Sequence, residues 1–517
     1  MESPHRDLWQ KAMNEEFKAL IDNETWTLVP RPTNVPIVDS RWTYDMKDDD
    51  PPRYKGRFVA KGFSQRYGIN YEETYAPVVK PETLRVLFAV AAHRKYVIHG
   101  MDAVTAFLNS ILKETIYVKQ AEGYVDPEHP DWVYLLGKAL YGLKQSALEW
   151  YNTLKAVLES DELQFKRIES DHAVFMVRTE LSTVYLALFV DDMAIFGDDE
   201  ILIGEIKAKL SSHFKMKDLG IMKRFLGLEI ERNSLGDVIV SQKRYIERVL
   251  ERFGMQDCKP TYTPLPTNIR LRKRDYDPDN PDPPADQTLY REIIGSLNHP
   301  AQWSRPDVVN AISKLSQYLH DPSVNYLTAA KHLLRYFKGT IHLRQIYSAN
   351  QSPKLVGYAD ADHANDEDDR KSFSGYCFFL DDKSAAISYS SKKQSLVAQS
   401  TMEAETVALS HAAKEALWLR QLCHNLDVFG LDQESPATPS ISMINSDSES
   451  ALKAVKNPVF HARTKHFDMR HHFIRDVVAK GELSVGHIPG DQNPADIFTK
   501  SLDRSKHASA LGLIHMA

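Results

Sequence analysis

The chain has 517 residues, 43% of them hydrophobic and 26% charged, with a formal net charge of −6. At roughly 100–200 residues per domain, this allows about three domains, each able to bury its own core. Three cysteines far apart (Cys258, Cys377, Cys423), with no CxxC pair, exclude a disulfide framework and a cysteine zinc site and fit an intracellular, reducing environment. The N-terminus has no apolar signal core, and the longest apolar runs, at 86–92 and 184–190, fall far short of the roughly 20 residues of a membrane helix.

In chain order, residues 3–20 have helical spacing (Leu8, Trp9, Ala12, Met13, Phe17) behind a capping Ser3. Residues 25–30 read as a strand closed by the proline-rich stretch 31–36. Residues 53–66 hold five basic residues and no acid, so the acidic total does not preclude a basic groove. Residues 81–94 predict a helix with Leu84, Leu87, Phe88 and Ala91 on one face. A short strand at 97–101 leads into Asp102. Two apolar runs, 184–190 and 193–197, are separated by Asp191 and Asp192 alone, a hairpin pattern. Helices are expected at 200–214 and 243–253. The Pro- and Asp-rich stretch 275–286 predicts an extended linker. A helical block follows at about 290–338, then a second boundary near 349–353. The last domain starts with the strand 354–359 and runs to about residue 500.

Asp191 and Asp192 at a tight turn, with Asp102 at the end of another strand, form a first carboxylate cluster. Taken alone, paired aspartates between strands are ordinary turn residues. Their setting suits nucleotidyl transfer, in which two Mg²⁺ ions held by carboxylates clamp the attacking hydroxyl and the leaving pyrophosphate. The flanking segments decide between the two. FVDDM (189–193), MDAVTAFLNS (101–110), YKGRFVAKGFSQRYGINYEETYAPVVK (54–80), ALYGLKQSALEWY (139–151) and DLGIMKRFLGLEI (218–230) resemble, in order, the segments of copia/Ty-type retrotransposon reverse transcriptases. The resemblance implies that Asp102, Asp191 and Asp192 bind the metal. It implies that Lys55 and Arg57 contact the incoming triphosphate and that Gln145 lies beside the sugar and base. It also makes Phe107 the aromatic ring under the deoxyribose, and 218–230 the hairpin that grips the primer. A solvated basic face, a surface amide and a core phenylalanine are the plain alternatives for these side chains.

The C-terminal third carries a second set of acids. Asp360 lies on a strand (357–364), Glu403 and Glu405 at a helix start (400–409), Asp447 at a strand-to-helix junction (443–455) and Asp496 before the end of 487–500. Such acids suit a second two-metal phosphoryl-transfer site, with water as nucleophile. The segments YADADHA, RKSFSGY, SSKKQSLVAQSTMEAE, AAKEALWLR, RTKHFDMRHHFIRD and NPADIFTK resemble the same family's RNase H domain. The resemblance selects Asp360, Glu405, Asp447 and Asp496; Glu405 is favoured over Glu403 because it is followed by x-x-Ala, and Asp362 is the rival to Asp360. The acidic run 366–369 is read as solvated. His487 is a departure from the family's pattern, with a role in proton transfer or product release as one reading and an ordinary surface histidine as the other. His461, His466, His471 and His472 lack cysteine partners and finger spacing, which argues against zinc.

The implied architecture is an α+β right-hand polymerase with fingers and palm (1–260), a linker and helical connection (261–350), an α/β RNase H-like domain (351–505) and a C-terminal tail (506–517). The implied activity is RNA-directed DNA synthesis with hydrolysis of RNA in the hybrid. It would use two Mg²⁺ per site, with Mn²⁺ as a substitute. The implied partners are RNA template, DNA primer, RNA–DNA hybrid and dNTPs, with gag, protease and integrase from the same element; none of those three has a segment in this sequence. The implied setting is cytoplasmic, in a virus-like particle, or nuclear, and not a membrane. Two rivals stand beside this: a decayed or domesticated nucleic-acid-binding relic, and a chain active only as RNase H.

Overall fold

The computed structural model describes residues 5–47, 52–267, 269, 271–274, 282–350, 353–429, 442–456 and 468–517. The chain divides into two compact units, Met1–Val79 with His99–Gly220, and Lys80–Ile98 with Ile221–Ala517.

The first unit is organised on a six-stranded sheet. In spatial order its strands are Met216–Ile221, Val97–Ala103, Asp192–Gly197, Thr183–Phe189, Val174–Arg178 and Lys166–Arg167. Thr183–Leu188 is buried throughout, which is why it reads as a continuous apolar run rather than an alternating one. Helices Ser146–Leu158 and Glu200–His213 also belong here; Asp199 caps the second by accepting from the Ile201 and Leu202 amides. A separate hairpin pairs Ser40–Lys47 with Arg53–Ala60. On the latter strand Gly56, Phe58 and Ala60 are buried while Lys55, Arg57 and Val59 are half-exposed. The period of two therefore puts Lys55 and Arg57 on one open face.

The second unit holds the expected helical block, resolved as Gln287–Trp303, Val309–Leu315 and Val324–Gly339. Together with helix Lys243–Arg252 these bury a shared core of Tyr290, Ile294, Leu297, Leu315, Leu333 and Phe337. A five-stranded sheet follows, in the order Ser388–Lys393, Phe373–Phe379, Val356–Asp362, Ser442–Ser446, Leu483–His487. Its first two pairings are antiparallel and its last two parallel. Helix Thr401–Asn425 packs on this sheet.

Several expectations are corrected. Helix Pro81–His93 is buried from Thr83 to Ala92 without a break, so it has no solvent face. Its Arg85 is fully buried too; the guanidinium donates to the carbonyls of Ile387 and Gln302, both at 2.7 Å, to the Tyr389 hydroxyl at 3.0 Å and to Glu82 at 3.3 Å. Strand Gln345–Tyr347 pairs with Val238–Ser241, across the boundary expected at 260. The expected tail is a packed helix, Arg504–Leu513, followed by buried Ile514 and Met516. Segment 218–230 is not one hairpin. Asp218 lies in strand Met216–Ile221, and a separate hairpin, Arg224–Phe225 with Leu228–Arg232, turns at Leu226 and Gly227. Both turn residues have positive φ, 53° and 79°, as a two-residue hairpin turn of the primed kind demands. The acidic run is solvated only in part: Glu367 and Asp368 are exposed, but Asp366 is buried, accepts from the Asp368 and Asp369 amides, and pairs with Lys393 at 2.6 Å. Ser3, most of the linker 275–286, and His461 and His466 lie outside the described residues. Among the described residues no helix is long and apolar enough to cross a membrane.

Candidate functional sites: two carboxylate centres

The first centre sits at the hairpin tip. Phe189 pairs with Asp192, so the two-residue turn is Val190–Asp191 and Asp192 opens the returning strand. The turn thus comes one residue earlier than the sequence suggests. Val190 takes φ of 59°, a costly conformation for a β-branched residue. It is held there by the Trp150 indole, which donates to the Val190 carbonyl at 2.8 Å. The Ala103 amide donates to the Asp191 carbonyl at 3.0 Å, fastening the tip beside the strand that carries Asp102.

Burial raises the Asp102 pKa, and the Asp191 charge adds to that; Lys55, Lys217 and Arg53 oppose it. These influences put Asp102, Asp191 and Lys55 in one electrostatic neighbourhood. Arg57 lies 4.0 Å from Asp45 and over the Tyr141 ring. Phe107 is half-buried with its ring centroid 4.7 Å from that of Tyr141, so it is neither a free surface ring nor a sealed core residue. Tyr141 is a contributor that the sequence does not flag. Burial, helped by the Asp191 charge, pushes its phenol up to about 12, so it remains a neutral donor. A tight backbone crossing places it: the Ala60 amide donates to the Tyr141 carbonyl, and a Cβ on Gly142, whose φ is +90°, would meet the Ala60 oxygen at 2.1 Å. Gln145 is not on the surface. It is fully buried, donates to the Asn70 carbonyl at 2.8 Å and to Glu114 at 3.1 Å, and accepts from Gln65. Contact with a nucleotide would require those bonds to part.

The second centre is more closed. Asp360 lies near the end of strand Val356–Asp362, in the middle of the five-stranded sheet, and is almost fully buried. Glu405 projects from the first turns of helix Thr401–Asn425, and Asp447 follows strand Ser442–Ser446. One carboxylate oxygen from each of the three lies within 4.8 Å of the others, and among the described residues this is the only such acid group. Asp102, Asp191 and Asp192 do not close to that distance. Glu403 is accounted for differently: Ser400 caps the helix by accepting from the Glu403 amide, and the Glu403 carboxylate accepts from Gln399 at 2.6 Å. Of the two glutamates, Glu405 is the one that reaches the centre.

Burial pushes Glu405 up to about 9, reinforced by Asp360 and Asp447. Burial and then Asp360 also raise Asp447 and Asp496. Asp362, one strand period beyond Asp360, is raised to about 6 by burial. Asp496, in the short helix Pro494–Phe498, is not one of the converging three; it contacts Lys500 at 2.7 Å. Lys500 also approaches Asp360 at 3.3 Å, and the Thr499 hydroxyl donates to Asp360. Both residues stand in the quoted NPADIFTK, and the i,i+4 spacing of Asp496 and Lys500 is the signal that could have singled out the lysine. His487 is exposed at the end of strand Leu483–His487; its register partner, Ser446, immediately precedes Asp447.

A divalent cation fits this centre. The Glu405 Oε2 and Asp447 Oδ1 atoms are buried without a hydrogen-bond partner, which is costly unless something positive meets them. Hard carboxylate oxygens are what Mg²⁺ takes.

Residues 23–267 match the family described as reverse transcriptase (RNA-dependent DNA polymerase). The chain is 37% identical over 520 residues to the retrovirus-related Pol polyprotein from transposon TNT 1-94 of Nicotiana tabacum, covering 99% of this chain and 38% of that protein. It is 38% identical to the corresponding polyprotein of transposon RE2 of Arabidopsis thaliana, covering 96% and 33%. A transposon Ty5-1 protein of Saccharomyces cerevisiae is 33% identical over 316 residues, 61% of this chain and 100% of that protein. The chain thus spans 33–38% of the length of the plant polyproteins it matches. A solved foamy viral protease-reverse transcriptase in complex with double-stranded DNA aligns with 94% of this chain and 82% of its own, at 11% identity and a TM-score of 0.45. An RNase H1 isolated from compost aligns with 28% of this chain and 93% of its own, at 20% identity and a TM-score of 0.21.

Proposed function

The chain belongs to the reverse transcriptase family of copia-type transposon Pol polyproteins, and on that premise we propose that it copies RNA into DNA at its first carboxylate centre and cuts the RNA strand of the hybrid at its second. What supports this reading is that Asp360, Glu405 and Asp447 converge in one compact unit, while Asp102, Asp191 and Asp192 lie at neighbouring strands of the other.

In the first centre Asp102, Asp191 and Asp192 would hold Mg²⁺, which supplies Lewis-acid stabilisation of the α-phosphate, the attacking oxygen and the leaving oxygen. Lys55 and Arg57, on one open strand face, offset the triphosphate charge. Phe107, wedged on Tyr141, meets the sugar and excludes a 2′-hydroxyl by collision. The primer 3′-hydroxyl attacks the α-phosphate and pyrophosphate leaves. In the second centre Asp360, Glu405, Asp447 and Asp496 would hold Mg²⁺, or Mn²⁺ in its place, which would supply Lewis-acid activation, and the acids orient water against a phosphodiester of the RNA strand.

The partners are then an RNA template, a DNA primer, dNTPs and the hybrid. Primer extension on an RNA template, run with and without Mg²⁺, tests the reading. Metal-dependent DNA synthesis is the expected result. A folded protein that binds template without extending primers identifies a non-catalytic relic, and hybrid cutting without extension leaves only the second centre active.

A further inference from the structure

We propose that Lys500 is a tethered cation that occupies the place of a divalent ion between Asp360 and Asp496 in the metal-free protein, and thereby sets the metal affinity of the second centre. This rests on reading that centre as a metal site. The four acids divide unevenly. Asp360, Glu405 and Asp447 converge, and two of their buried oxygens have no partner. The fourth acid faces the ammonium: Lys500 Nζ lies 2.7 Å from Asp496 Oδ1 and 3.3 Å from Asp360 Oδ1. Asp360 is common to both groups, and its other oxygen accepts from Thr499.

One turn of chain from Asp496 is the reach that brings an i,i+4 lysine back over its acid. A lysine side chain is cationic at neutral pH, and here it contacts both carboxylates, so it meets any incoming cation as a fixed positive charge. It carries one charge where Mg²⁺ carries two, and its contacts are longer than the roughly 2.0–2.1 Å of a Mg²⁺–oxygen bond. It compensates the acids without clamping them. An ion that took up both Asp360 and Asp496 would have to displace it.

The side chain has somewhere to go. It also lines a cavity of about 270 Å³ with Lys314, Tyr318, Asp362, Asp366 and Ser501. Swung into that cavity, the ammonium still finds carboxylates, so displacement does not strand a buried charge. Lys500 is on this account a positioning residue: it keeps like-charged acids in register before the ion arrives and weakens the ion's hold.

The test is Mn²⁺ binding to the full chain, followed by paramagnetic resonance without nucleic acid, in an Asp191→Asn background that weakens the first centre. Removing a unit positive charge this close should tighten Mn²⁺ binding about tenfold or more in Lys500→Met, while Lys500→Arg keeps the parent's affinity. In chelator, Lys500→Met should also melt lower than the parent and recover more on adding Mn²⁺. Asp360→Asn marks which binding belongs to this centre. If Asp360→Asn abolishes binding but Lys500→Met binds Mn²⁺ no more tightly than the parent, the inference is overturned and the metal site stands. If no binding in the parent depends on Asp360, the metal site itself fails. Should Lys500→Met not fold, the neutral Lys500→Gln replaces it, with the same two outcomes.

Discussion

Replacing Glu405 with glutamine should make the metal-free protein more stable while destroying hybrid cutting. The ordinary pKa of this carboxyl is 4.5, and in the folded chain it is pushed up to about 9. The folded state therefore binds a proton that the unfolded chain lacks between those two values. Stability must fall as pH rises through that window, by up to about 1.4 kcal/mol per pH unit, and level off above about pH 9. At pH 8 the cost of holding that proton is on the order of 3 to 5 kcal/mol. Glutamine carries no such cost: its amide can donate towards Asp360 and Asp447 without taking up a proton. In chelator, hydrogen exchange along strand Val356–Asp362 should show Glu405→Gln more protected than the parent at pH 8 and nearly equal at pH 4.5. Saturating Mg²⁺ should reverse the order, because ligand binding stabilises only the chain that binds it. A glutamine variant no more stable than the parent in chelator, or one that keeps the parent's pH slope, would refute the assignment of the burial strain to Glu405.

Three further outcomes follow from the same geometry. Asp191→Asn should abolish primer extension and leave hybrid cutting largely intact, with Glu405→Gln doing the reverse; loss of both activities in either folded variant rules out separate sites. Phe107→Val should keep near-normal dNTP use and gain rNTP incorporation, read by extension with each nucleotide set; destabilisation of about 1–3 kcal/mol with unchanged sugar preference would make the ring a packing residue only. Arg85→Met should destabilise the second unit by about 3–5 kcal/mol in urea titrations, because buried carbonyls lose their donor and Glu82 loses its charge partner; a loss below about 1 kcal/mol would show that water replaces it.

Period and punctuation carry the legible part of this chain. The apolar runs flanking Asp191 specify a hairpin because only its tip escapes burial. They do not specify the register, because Val190 in the turn is locally unfavourable and is held by Trp150, 40 residues away in sequence. Glu403 and Glu405 illustrate the same limit. Both are helix-start acids in the sequence, and only the Ser400 cap tells which one turns towards the strand. Helix Pro81–His93 shows a one-sided apolar pattern, yet Arg85 is buried as well, since its partners come from residues some 217 and 302 positions away. Asp366 in the acidic run 366–369 misleads for a related reason: composition reads it as solvated, whereas it is buried and paired with Lys393 of strand Ser388–Lys393. What the sequence leaves out is in each case a long-range partner that overrides a local preference.

The two centres meet one electrostatic problem, carboxylates crowded together before their cation arrives, by different means. At the first, the acids are half-exposed, and the charges of Lys55, Lys217 and Arg53 offset Asp102. Such influences pass through water and are weakened by salt over a length of about 8–10 Å at ordinary ionic strength. At the second, Asp360 and Glu405 are buried and the neutralising charge is an ammonium in direct contact at 2.7 and 3.3 Å. Contact pairs in a closed site are screened far less. The first centre is therefore the one whose acids are tuned by the medium, and on the proposed function a triphosphate would bring its own charge and counter-ions to a site already open to them. The second is tuned by its own chain, so that acids which would repel one another in isolation are kept within a few ångströms, and on the proposed function a substrate backbone and its metal would take over the task of Lys500.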